Sequence, residues 1–320
     1  MNTGNNSLSV MSIDPKNPTN VTQVKGSPIS THGEMPVSVA ISRKHHLACV
    51  LNSGQNATIA CFKVSESEGV KLMNETIHPV EAPHPGSASA IVFNVNETQL
   101  LVSVKGDKED HIPGSIQVFR VLNGTHFTDD AFLLANDSIN ATPDQCQMPI
   151  GMRFLPEGDN SVLIADAGYG VALSRINPYS GMLNASHPIT IDGQNGTGWV
   201  TYSRQAKAFF VTDRGSNLLT EIRIRNGTKP EIVDQYPLSA TGGRTDLIAV
   251  RTQIGEFLYV LAPEAGVVEV VRVWGPGAVQ PVQSFDVKSA MGNGDADVQG
   301  MMVYMKREGN STDHQIEKTT

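Results

Sequence analysis

Basic residues, cysteines and long apolar runs are all scarce in this 320-residue chain, and each scarcity removes a class of function. Lys and Arg number 24 against 32 Asp and Glu, a formal balance of -8. The basic stripe that a phosphate backbone requires is missing, so nucleic acid is not an expected partner. Three cysteines, Cys49, Cys61 and Cys146, are too few for a disulfide-stapled miniprotein and lack the C-x-x-C spacing of a metal cluster. No apolar stretch approaches the ~18 residues of a membrane span. The opening MNTGNNSLSV has neither the basic nor the apolar region of an export signal. There is no G-x-S-x-G elbow, no phosphate-cradling Gly-rich turn, and no H-E-x-x-H spacing. The acidic stretch Asp107, Glu109, Asp110 reads as solvated loop charge, so no metal and no cofactor is expected. Helical periodicity is almost absent too.

What remains is strand text. Apolar residues make up 39% and charged residues 18%, a globular proportion that argues for a folded, soluble chain. Short alternating segments recur with turn chemistry between them, the pattern of an all-β protein. Five copies of one unit stand out, each a strand, a polar turn and a second apolar strand: PVSVAISRKHHLACVLN from Pro36, SAIVFNVNETQLLVSVK from Ser89, PIGMRFLPEGDNSVLIAD from Pro149, GWVTYSRQAKAFFVTD from Gly198 and DLIAVRTQIGEFLYVLA from Asp246. A sixth start, VQGMMVYMK, begins at Val298. Equivalent positions Ile41, Phe93, Phe154, Tyr202, Val250 and Val303 are 52, 61, 48, 48 and 53 residues apart. Strand-only repeats of about 40–50 residues are propeller blades.

Each unit continues into a third and fourth strand, as in SIQVFRVL and LLTEIRIRN. The reading is a β-propeller of four-stranded blades over residues 1–306, five blades complete and two partial, followed by a polar tail at 307–320. NSLSVMSID and VTQVKGSPI match third and fourth strands without their first two, and VQGMMVYMK a first strand alone. A propeller protects its edges by closing, so further strands are expected upstream of Met1, and a monomer once the ring is complete.

Twelve of the 21 asparagines open an N-x-S/T triplet, where the Ser plus Thr content predicts about three. Asn5, Asn20, Asn56, Asn74, Asn96, Asn123, Asn136, Asn184, Asn195, Asn226 and Asn310 are candidate glycan carriers. Asn140 is the weakest acceptor, since Pro143 follows its Thr142. The alternative is the plain use of Asn, Ser and Thr in turns. The excess predicts a secreted, extracellular protein, and therefore an export signal in the missing upstream segment. HLACVLN and TIACFKV flank a Ser53-Gly54-Gln55-Asn56 turn, placing Cys49 and Cys61 nearly opposite each other. They form a cross-strand disulfide or remain two small buried hydrophobes, with Cys146 a free thiol.

The stretches NTGNNSLSVMSIDPKNPTNV, GEMPVSVAISRKHHLACVLNSG with CFKV, LLVSVKGDK, VTDRGSN and VQGMMVYMK resemble the seven-bladed lactonase-like propellers, specifically the fungal secreted proteins of lactonase or carboxymuconate-cyclase type. The resemblance spans residues 2 to about 306 and implies a lactonase or cycloisomerase site at the central mouth. Loops leaving second strands and leading into blades share one face of a propeller. On that face Arg214 is the first candidate, because a guanidinium can hold a carboxylate bidentately and the DRGSN turn resembles the Arg-bearing turn of such enzymes. Asp213 and His84 complete the candidate catalytic set, and Lys105, Asp166 and Arg244 the ligand-binding set. The resemblance also implies a histidine before Phe154, where this chain has Met148; His32 and His84 are the substitutes, or else ordinary loop histidines. His45 and His46 belong to the opposite face. The expected ligand is a small carboxylated lactone or organic acid; the alternative is a non-catalytic secreted glycoprotein acting as a surface binding or antigenic module.

Overall fold

A computed structural model describes residues 1–123, 132–135, 138–156, 160–226, 229–240, 242–288 and 300–305. Alternation of apolar and polar residues gives each strand two faces, and four antiparallel strands in sequential order make each blade. The first blade contains Pro36–Ser42, Leu47–Asn52, Thr58–Ser65 and Gly69–Pro79. The second contains Ala88–Phe93, Gln99–Val104, Ser115–Asn123 and Phe132–Leu134, with Ile139–Asn140 also paired to its third strand. The third runs from Pro149–Phe154 through Ser161–Asp166 and Gly170–Ile176 to Leu183–Thr190. Thr197–Ser203, Ala208–Asp213, Leu218–Arg225 and Lys229–Pro237 form the fourth, and Asp246–Thr252, Gly255–Ala262, Val267–Gly275 and Ala278–Asp286 the fifth.

While the second strand of the fifth blade, Gly255–Ala262, is buried in part, those of the first four blades are buried on both faces, every residue of Leu47–Asn52, Gln99–Val104, Ser161–Asp166 and Ala208–Asp213 included. A sheet sandwiched between two others reads this way. The core accordingly lies between blades. Leu51 and Cys61 of the first blade pack with Ile91 and Val102 of the second, Val118 with Ile164, Leu173 with Phe209, and Phe210 with Leu258. Polar stitches repeat the pattern. The Ile91 N–H donates to Ser38 Oγ at 3.2 Å and the Ala249 N–H to Thr201 Oγ1 at 3.3 Å. Glu97 accepts the Lys44 N–H of the preceding blade's turn, and Glu256 does the same for Gln205.

The amino-terminal region forms two two-stranded ribbons, Met11–Ile13 with Val21–Gln23 and Ser7–Leu8 with Ile29–Ser30. Leu8, Val24 and Ile29 cover the outer face of the first blade against Val50 and Phe62. These are the lone third- and fourth-strand segments that the repeat pattern predicts. At the other end, residues 300–305 of VQGMMVYMK make no sheet ladder, against the expectation of a first strand. A strand exists through its partner; here the Met301 N–H donates to the Asp246 carboxylate. Residues 307–320, the polar tail, lie outside the described residues.

Cys49 and Cys61 are register partners in adjacent strands and are joined by a disulfide, both fully buried. Cys146 is a buried free thiol whose pKa is pushed up by burial and by Asp166, which keeps it protonated and unreactive. His46 is exposed, whereas His45 is half-buried. Among the described residues no helix is long and apolar enough to cross a membrane.

Candidate ligand site at the loop face

One hydrogen bond recurs where second strands end. The residue after the strand donates its N–H to the carbonyl of the loop leading into the same blade: Ser53 to Met35 at 2.9 Å, Lys105 to Ser87 at 2.9 Å, Ala167 to Met148 at 2.9 Å and Arg214 to Gly196 at 3.0 Å. In the fifth blade the equivalent position is Pro263, which has no N–H to give. This bond makes Lys105 and Arg214 equivalent positions of the second and fourth blades.

Arg214 leans toward the fifth blade. Its stem lies over Gly243, where a Cβ would stand 2.7 Å from Arg214 Cγ, and Gly242, at φ +98°, leaves the same clearance for Glu264. Only glycine admits both approaches. The guanidinium reaches Glu264 at 3.8 Å, with both side chains well exposed, so this pair is weak and its charge stays accessible to a ligand. Lys105 is half-buried, and its pKa is lowered first by burial and then by the charge of Arg214. Two cations therefore share the loop face closely enough to repel, and an anion placed between them would relieve that repulsion.

The carboxylates expected beside them have other work. Asp213 accepts the N–H groups of Asn195, Gly215 and Ser216 at 2.8, 2.9 and 2.7 Å. Asp166 accepts those of Gln147, Met148 and Gly168 at 2.9, 2.9 and 2.8 Å. Both are buried. Each closes its own loop by side chain to backbone hydrogen bonds, a structural task beside the catalytic role expected of Asp213 and the ligand role expected of Asp166. Arg244, expected to bind ligand, also has structural partners. Its side chain is fully buried, paired to Glu269 at 3.1 Å, and donates to Asn217 Oδ1 and to the Ala240 carbonyl at 2.7 Å. Its Nε has no partner among the described residues, and the side chain is closed to solvent.

His84 stands with acidic partners of the second blade. Its Nε2 is 3.5 Å from Asp107 and 3.3 Å from Asp110, and one ligand atom from each of the three lies within 4.8 Å of the others. Asp107 is held low by the N–H groups of Asp110 and Glu109, with His84 adding to the effect. Among the described residues this is the group most able to receive a cation; a protonated imidazole between two carboxylates satisfies the same geometry. His32 is exposed at φ +54°, and Met148 occupies the lead-in position before Phe154, where the resemblance places a histidine. The Gly242-Gly243 pair is the part of the site that residue types did not reveal. Two adjacent glycines before a blade are the sequence signal of a close approach.

No protein-family model matches the chain, and no curated protein does. Solved structures do. A periplasmic gluconolactonase of Pseudomonas aeruginosa is 16% identical with a TM-score of 0.67, covering 88% of this chain and 77% of its own. A Bacteroides uniformis protein provisionally named 6-phosphogluconolactonase is 15% identical at TM-score 0.66, over 87% and 78%. The β-propeller domain of Cps50 (Swd1) from Myceliophteria thermophila is 11% identical at TM-score 0.55, over 89% and 84%. At these identities the likeness establishes the fold, a β-propeller.

Proposed function

We propose that the loop face binds a small carboxylated lactone or related organic acid, held by Arg214 and Lys105. The observation that carries this reading is the placement of these two cations at equivalent positions, with Arg214 close enough to depress the Lys105 pKa. The guanidinium offers a bidentate grip on a carboxylate and the ammonium a second charge-assisted contact. Lactone opening also requires a base for water and a group to hold charge on the carbonyl oxygen. Glu264, exposed and 3.8 Å from Arg214, is the carboxylate on hand for the first task, and Lys105 suits the second. The names of the gluconolactonase-type neighbours point to the same substrate class, a cyclic ester bearing hydroxyl or carboxyl groups. The carboxymuconate-type cycloisomerase and fungal origin belong to this proposal as its finer form.

A second reading has its own support. Asp213 and Asp166 are spent on loop closure, which leaves a binding face with little acid–base equipment, as in a non-catalytic surface or antigenic module. The buried disulfide fits an oxidising, extracellular setting under either reading. Calorimetry against muconolactone-type and gluconolactone-type ligands separates them. Arg214→Ala should weaken binding roughly ten- to hundred-fold, the loss of one charge-assisted bidentate contact. Unchanged binding removes Arg214 from the site; absence of binding by every such acid leaves the non-catalytic module.

A further inference from the structure

Asparagine is used in two ways in this fold, and the residue two places on tells them apart. Nine asparagines that open an N-x-S/T triplet have described side chains, from Asn5 to Asn226, and all nine are exposed. Of the eight described asparagines outside such triplets only Asn17 is exposed, and Pro18 follows it, the residue that bars a triplet from glycan transfer. The others hold the fold together. Asn52 donates to the Thr31 carbonyl at 3.0 Å, Asn94 to Asn160 at 3.1 Å, and Asn217 accepts from Arg244. Turn chemistry accounts for the second group. It also ties Ser7 to Asn5 and Thr142 to Asn140, but Thr76 bonds to Cys61 and Met73 and Ser186 to Ser174, and exposure at every described triplet is what transfer of a bulky, solubilising glycan requires.

Their positions add a physical role. The outermost strand of each blade leaves a row of unpaired N–H and C=O groups, a template for pairing with another chain. Asn74 lies in the outer strand Gly69–Pro79, where the register slips between Met73 and His78 and Thr76 turns inward to accept the Cys61 N–H at 2.9 Å. Asn184 lies in the outer strand Leu183–Thr190, and Asn226 in the turn before Lys229–Pro237. The outer strand of the fifth blade, Ala278–Asp286, has no triplet; it carries Pro281, an edge-blunting residue that the third and fourth blades also have in Pro188 and Pro230.

We propose that the exposed triplets are N-glycan attachment sites, and that the sugars on Asn74, Asn184 and Asn226 cover the outer edges of the first, third and fourth blades. The donor is a lipid-pyrophosphate-linked oligosaccharide of the secretory route. The asparagine Nδ2 bonds to the anomeric carbon of the first sugar, the bond from that carbon to pyrophosphate oxygen breaks, the lipid pyrophosphate leaves, and one amide proton is lost. The assignment concerns the outside of the propeller and stands independently of the chemistry at Arg214.

The full chain, carried by an export leader through a eukaryotic secretory route, provides the test. Glycan release by an amidase in heavy-oxygen water converts each carrier to a labelled aspartate that peptide mapping locates. Label is expected at Asn74, Asn184 and Asn226 and absent from Asn17, Asn52, Asn94 and Asn160. An exported chain without label at Asn74 or at Asn184 overturns the proposal. For the edges, the Asn74→Gln, Asn184→Gln, Asn226→Gln triple variant should self-associate at concentrations where the parent is monomeric, with an unchanged melting curve. Enzymatic trimming of the folded parent gives the same readout without depending on export of the variant. A trimmed parent that stays monomeric overturns the edge role.

Discussion

Two arginine–glutamate pairs lie within 60 residues of sequence in the fourth and fifth blades, and they share nothing but their chemistry. Arg214 and Glu264 meet at 3.8 Å with side chains 70% and 59% exposed; Arg244 and Glu269 meet at 3.1 Å with side chains 0% and 1% exposed. In the first pair water screens the attraction, and either charge can be turned toward a ligand. In the second, removing one charge strands the other in the interior with only neutral hydrogen-bond partners, Asn217 and the Ala240 carbonyl for Arg244, Ser239 and the Ala240 N–H for Glu269. Residue type marks both arginines as anion binders, and burial decides between them.

The buried pair should therefore give the largest response. Arg244→Ala or Glu269→Ala is expected to cost about 3–5 kcal/mol of stability, as an uncompensated buried charge does. Replacing both by apolar residues of similar volume should recover much of that loss. Denaturant titrations of the singles and the double decide it, and singles no worse than a surface substitution would refute the buried-pair account. pH offers a second check. Burial works to raise the Glu269 pKa, but the Ser239 hydroxyl, the Ala240 N–H and Arg244 together lower it below 4.5. A carboxyl held low in the folded state adds stability above its unfolded pKa, and that stability disappears as pH falls through the folded value. Glu269→Gln should flatten the acid limb of the stability curve.

The loop carboxylates rank next. Asp213→Ala strips three N–H groups of their acceptor and should cost about 1–3 kcal/mol. It should also weaken ligand binding, because Arg214 rides on the loop that Asp213 closes. Asp213→Asn retains one acceptor oxygen and should recover part of both. If Asp213→Ala abolishes turnover while stability and affinity stay at parent values, the residue is chemical after all.

The loop carboxylates show where residues alone run out. Strand alternation, the repeat interval and the facing cysteines are local patterns, and blade order followed from them directly. The site did not, because a carboxylate in a loop looks the same whether it faces solvent or three N–H groups. A clue lay in the repetition. Asn52-Ser53-Gly54, Asp166-Ala167-Gly168 and Asp213-Arg214-Gly215 place the same polar-x-Gly unit at the end of three second strands. A feature repeated from blade to blade belongs to the scaffold, and the varying middle residue is where function is placed. By that rule Ser53, Ala167 and Arg214 are the variable positions, with Lys105 their counterpart in the second blade. The exposure of Glu264 and the burial of Arg244 depend on contacts between blades, and no pattern within a blade reports those.

Lys105 should respond to pH. Its pKa is lowered by burial and by Arg214, so the ammonium that grips an anion is lost earlier on the alkaline side than an ordinary lysine's would be. Affinity should be level near neutrality and fall as pH rises through that lowered value. Arg214→Ala removes one cause of the shift, so the weakened binding that remains should hold to higher pH. Lys105→Met should abolish the alkaline fall. Calorimetry across the alkaline range reads this directly, and an identical limb in the parent and in Lys105→Met would assign the titration elsewhere.

The smallest effect belongs to Glu264. An exposed pair 3.8 Å apart contributes about 0–1 kcal/mol to stability, so Glu264→Gln should leave the melting temperature nearly unchanged. Its effect on the mouth runs opposite to that of Arg214→Ala. Removing the competing carboxylate frees the guanidinium, and affinity for an anionic ligand should rise by roughly two- to five-fold, in line with a contribution below about 1 kcal/mol. If Glu264 also activates water, the same variant should bind lactone more tightly and open it more slowly, a split that no change in folding produces. Tighter binding with no turnover in either form would make the loop face a receptor for the acid. Weaker binding in Glu264→Gln would mean that the carboxylate positions Arg214 for the ligand, and the contrast between the two arginine pairs would then narrow to their burial alone.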